Sequence, residues 1–123
     1  MLHGRILAES LRVGCDIQVA QLRLVRIARE DVSGSTGTVQ PDVWTLLDVQ
    51  APDEVADELA EALAAALVEG QGWYADFRVR TDHVVVFPGR IFRYAVGDMA
   101  GRDAAVKYGT AAGVPEHQLD WGA

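Results

Sequence analysis

Residues 73–96 read WYADFRVRTDHVVVFPGRIFRYAV. Trp73, Ala75, Phe77 and Val79 alternate there with Tyr74, Asp76, Arg78 and Arg80. A period of two gives a strand with one apolar and one polar side. Thr81-Asp82 supplies a turn, and His83 to Phe87 is a continuous apolar strand, expected near the centre of a sheet. Pro88-Gly89 turns again, and Arg90 to Val96 returns. Strands joined this closely predict an antiparallel meander.

The elements on either side are helical. Residues 52–69 carry Val55, Leu59, Leu63 and Leu67 at every fourth position, one apolar helix face. Pro52 suits the first turn, and Asp53, Glu54, Asp57, Glu58 and Glu61 sit where the positive end of the helix dipole favours them. Gly70 is a natural stop. After the meander, Asp98 is an N-cap for a helix over 99–112, with Ala104, Ala105, Tyr108 and Ala111 or Ala112 inward. Gly113 and Pro115 end it, and Leu119 and Trp121 are expected to dock the last residues on the body.

Before residue 50 the pattern is extended. Leu2 to Ser10 reads as a strand in preference to a short helix, followed by a turn at Val13-Gly14 and a short extension over Ile17 to Ala20. Leu22 to Glu30 is a branched, strand-forming run with arginines at 23, 26 and 29. Strict alternation would split Arg23 and Arg26 between faces, so a bulge is expected near Val25-Arg26. Residues 31–42, DVSGSTGTVQPD, read as a long mobile loop, and Val43 to Val49 as a further strand. The sum is one α+β domain over residues 1–123. It is expected to be a two-layer sandwich, a mainly antiparallel sheet of about six strands with both helices on one face.

Composition narrows the function. Half the residues are hydrophobic and 24% are charged, which suits a folded domain. The net charge of −7 weighs against binding nucleic acid or anionic membrane. Cys15 is the only cysteine, so no intrachain disulfide forms and it reads as a small buried apolar residue. No apolar run reaches signal-peptide or membrane-span length, and the expected location is the cytoplasm. Lys107 is the only lysine beside ten arginines, a bias that codon usage in a GC-rich genome explains and that cautions against over-reading the arginines.

Several chemistries find no motif. His3, His83 and His117 are scattered without metal-ligand spacing, and Glu116, His117 and Asp120 read as a solvated final turn. The glycines at 34–38 lack the Gly-Lys-Ser/Thr ending of a phosphate loop, and Asp98 puts a negative charge where Gly97 to Gly101 would hold an anion. No cofactor or metal is expected.

The outward residues of the meander remain. Trp73, Tyr74, Arg78, Arg93 and Tyr94 are the candidate binding residues, as an arginine and aromatic sheet face that meets a second copy, a partner protein or a small ligand. The alternative is a small enzyme in which Asp76 or His83 moves protons and Arg93 holds an anionic substrate. A deep pocket where Asp76, His83 and an arginine converge favours the enzyme, and a flat face favours the interface. The run from GWYADFR through VVFPGRIFRY to GVPEHQLDW resembles small uncharacterised bacterial proteins of about this length. That resemblance implies a stand-alone domain and transfers no catalytic residue.

Overall fold

The computed structural model describes residues 1–34, 40–119 and 121. The strands are β1 (Leu2–Leu7), β2 (Arg23–Asp31), β3 (Val43–Ala51), β4 (Ala75–Val79), β5 (Asp82–Phe87) and β6 (Arg90–Ala95). Helix α1 (Ala56–Ala66) lies between β3 and β4, and α2 (Met99–Ala111) follows β6. The strands form one sheet in the order β2-β3-β1-β4-β5-β6, and all neighbours are antiparallel. The α+β class and the meander therefore stand as expected. The first hairpin turns one residue earlier than the sequence suggests, at Arg80-Thr81, with Arg80 at a φ of 53°.

The layering differs from the expected sandwich. Ala75, Phe77, Val79, Val84 and Val86 pack with Leu59 and Leu63 of α1. Val85, Phe87 and Tyr94, of opposite parity, pack with Ala105 of α2 and with Val114, Leu119 and Trp121. The helices thus lie on opposite faces, not on one. The physical reason is written in β5. A strand that is apolar on both sides needs cover on both, and each of Val84, Val85, Val86 and Phe87 is 2% exposed or less.

Other local expectations shift for identifiable reasons. Helix α1 is shorter than residues 52–69. A 3-10 turn, Asp53–Val55, precedes it, and Leu67 is drawn into an extended bridge with Leu11. There the Arg12 N–H donates to the Ala66 carbonyl and the Val68 N–H to Ser10. Residues Ile17 to Ala20 form no strand, although Val19 is buried in the α1-side core. In α2 the inward face is Ala105, Tyr108 and Gly109, while Ala104, Ala111 and Ala112 are exposed. Asp98 caps α2 as expected, accepting from the Gly101 N–H at 3.1 Å. A Cβ on Gly101 would stand 2.5 Å from the Tyr94 Cβ, and one on Gly109 would stand 2.8 Å from a Leu119 methyl. These two positions let α2 lie close on the sheet.

The expected bulge is present. Leu24 pairs with Val49 and Arg26 with Asp48, so Val25 is the extra residue. Arg23 and Arg26 consequently share the face away from α1, opposite Gln50 and Asp48. Of the loop expected over 31–42, residue 31 ends β2, and residues 35–39 lie outside the described residues. So does Asp120 of the final-turn cluster. Among the described residues no helix is long and apolar enough to cross a membrane.

Candidate functional site

On the side of the sheet away from α1, α2 covers β5 and β6 and stops short of β1 and β3. Residues 114–119 and Trp121 extend that cover over Tyr74 and His83. Where it ends, a cavity of about 330 Å³ opens. Its apolar walls include Leu7, Trp44, Leu46, Trp73 and Tyr74. Its charged lining is Arg5, Glu30 and Asp76. The volume lies at the small end of ligand pockets.

Alternation in β4 sends Asp76 to this side while Ala75 and Phe77 enter the α1-side core. Behind Asp76 stands His83, 1% exposed. Its Nε2 lies 2.8 Å from Asp76 Oδ2, and its Nδ1 lies 2.7 Å from the Tyr94 hydroxyl. One assignment satisfies all three groups beside an ionised Asp76: the imidazole donates from Nε2 to the carboxylate, and Nδ1 accepts from the tyrosine O–H. The cavity-facing carboxylate is therefore held from behind by a buried chain. Trp121 closes that chain, its ring centroid 5.5 Å from those of both His83 and Tyr74.

Tyr74 is fixed at its polar end. Its hydroxyl donates to the Gln118 carbonyl and accepts from the Trp121 indole N–H at 3.3 Å. Burial pushes its pKa up to about 12, and the Asp76 charge adds to the rise. Burial also raises the Tyr94 pKa. Both stay protonated donors at neutral pH. The rim is stitched by Gln40, whose amide donates to the Gln71 and Gly72 carbonyls at 2.9 and 3.3 Å.

Arg5 is committed elsewhere. Its Nε and one terminal nitrogen reach the two oxygens of Asp48 at 2.7 and 3.2 Å, and Arg26 joins the same carboxylate at 3.3 Å. The Arg5 hydrogen bond holds the Asp48 carboxyl below its ordinary pKa, and the same bond raises the Arg5 pKa. Beyond this network the open face carries His3, Arg78 and Gln50 in a shallower groove.

The residues expected to form one binding face are dispersed. Trp73 is a core residue whose indole donates to Gln71 at 3.2 Å, with its ring 5.8 Å from that of Trp44. Tyr74 and Tyr94 lie under the C-terminal residues and α2, while Arg78 is exposed on the open face. Arg93 lies on the α1 face, paired with Asp82 at 2.8 Å and Asp57 at 3.5 Å. For the enzyme alternative, Asp76 and His83 do meet, but the nearby arginine is Arg5 and not Arg93. Sequence reasoning missed Arg5, Glu30, Trp44 and Leu46. The parity of Trp44, Leu46 and Asp48 was available as a signal, but the placing of β1 between β3 and β4 was not. Among the described residues no three His, Cys, Asp or Glu side chains gather as a metal ion requires. No protein-family model, no curated protein and no solved structure matches this chain.

Proposed function

We propose that this protein binds a small molecule in the cavity between Trp44, Tyr74 and Asp76. The observation that carries the reading is the pairing of an aromatic-walled cavity with a carboxylate fixed from behind by buried His83. Surface carboxylates are ordinarily free to turn, whereas one held by a buried histidine has already lost that freedom before a ligand arrives. A ligand-observed NMR screen of small polar aromatics and amines tests it, with Leu46→Trp as the cavity-filling control. Hits should vanish in the filled variant, provided its circular dichroism matches the parent. Hits that persist unchanged place binding elsewhere and remove the proposal.

A second reading, general acid–base chemistry at Asp76, is favoured by the Asp76–His83–Tyr94 chain, in which the imidazole N–H at 2.8 Å orients the carboxylate as a proton acceptor toward the cavity. Asp76→Asn separates the two. Binding retained with turnover of the bound compound abolished speaks for catalysis, and no turnover in the parent speaks for binding alone.

A further inference from the structure

The chemistry of the cavity goes one step further and names a ligand class. This inference rests on the small-molecule reading above. We infer that the cavity takes a small organic cation, an alkylated ammonium group.

Three features converge. Trp44, Trp73 and Tyr74 line the cavity together. Aromatic walls attract cations through the negative face of each ring, and tryptophan does so most strongly. Glu30 and Asp76 bring two carboxylates to the same lining. Glu30 makes no ion pair among the described residues, and Asp76, hydrogen-bonded by an imidazole, stands opposite Arg5 across β1 and β4 without an ion pair to it. The one cation in the lining, Arg5, is turned by a two-point bond to Asp48 outside the cavity, a carboxylate it shares with Arg26, and the lining sets two carboxylates against this one guanidinium. What the lining offers an entering molecule is therefore aromatic surface and net negative charge. An anionic ligand would meet two carboxylates, Glu30 and Asp76, against a single guanidinium already bonded to Asp48. A purely apolar one would leave both carboxylates facing it. An alkylated ammonium presents apolar methyl groups to the rings and spreads its charge over them, which suits both parts of the wall. The chain's net charge of −7 acts in the same direction at long range.

Three probes of nearly equal shape separate the possibilities: choline, 3,3-dimethylbutan-1-ol and 3,3-dimethylbutyrate, positive, neutral and negative. Each is titrated into uniformly 15N-labelled full-length protein, with the three tryptophan indole signals followed. Choline should move the Trp44 and Trp73 signals and bind about tenfold more tightly than the neutral alcohol, a ratio within the range of a desolvated cation–aromatic contact. Glu30→Gln, a change at an exposed position, should weaken choline about threefold and leave the alcohol unchanged. If the alcohol or the carboxylate binds as well as choline, the cation inference falls while the cavity remains a binding site. If none of the three moves Trp44 or Trp73, the cation inference falls and the cavity reading goes with it.

Discussion

The two sides of this sheet are made by the same strands and packed in different ways. The α1 side joins Leu59 and Leu63 to Leu2, Ile6, Phe77, Val84 and Val86, a mostly aliphatic contact settled by volume. The α2 side joins Phe87, Phe92, Tyr108, Tyr74 and Trp121, ring against ring, and the Tyr74 hydroxyl and Trp121 indole N–H each find a partner. Aliphatic packing fills space without direction. Aromatic residues with hydroxyl, indole and imidazole groups fix positions, because a buried donor left unpaired costs more than a lost contact. The directional side is also the one left partly uncovered, and its cavity lies where the cover ends.

The largest test of this contrast is Phe87→Ala. Phe87 is fully buried and its ring lies within 6.0 Å of those of Tyr74, Phe92 and Tyr108. The expected loss is about 3–5 kcal/mol in urea unfolding. A loss no larger than that of an exposed truncation would mean that the aromatic side contributes little to the fold. Next comes Gly101→Ala, which sets a methyl group 2.5 Å from the Tyr94 Cβ and should cost about 1–3 kcal/mol as α2 lifts. An equal change at solvent-facing Gly89 meets no atom within 4 Å, and any loss there comes from its positive φ alone. His83→Leu keeps the volume near Trp121 but deprives Asp76 and Tyr94 of their shared partner. It should also cost about 1–3 kcal/mol, and Tyr94→Phe in that background should recover part of the loss.

The pH dependence sharpens the same comparison. Tyrosine ionises near 10.0 when free, and Tyr74 in the fold at about 12. The protonated hydroxyl thus contributes stability that is whole below pH 10 and lost as pH rises between those values. Alkaline unfolding should shift to lower pH dependence in Tyr74→Phe, and absorbance near 295 nm should lose its latest-titrating step. The smallest effect belongs to Asp48. Its carboxyl is depressed by Arg5, so its contribution is present above the ordinary carboxylate range and fades as pH falls through the lower folded value. Asp48→Asn should cost within roughly 1 kcal/mol at neutral pH and flatten the acid limb of the stability curve.

How far the sequence reads ahead depends on the range of the interaction. Alternation in β4, the Asp98 cap and the Val25 bulge are local, and each was legible from a few neighbouring residues. The side on which α2 lies was legible only in part. β4 alternates and suggested one covered face, while the unbroken run from Val84 to Phe87 already required two. The cavity was the least legible feature, because Arg5, Trp44 and Tyr74 meet only through the pairing of β1 with β3 on one side and β4 on the other. Asp76 and His83 were named together from their chemistry. Arg93 was named with them, and parity sends it to the other face, opposite Val84.

The bulge at Val25 also bears on how this chain tolerates a change in length. Losing one residue from a strand ordinarily turns every later side chain over, so that core positions meet water. In β2 one residue has no opposite number, since Leu24 and Arg26 face consecutive residues of β3. Excising Val25 would leave each other side chain of the strand on its present side, with the partners it has now. β2 thus carries a spare position, the one place along it where a codon can be dropped without rewriting the rest.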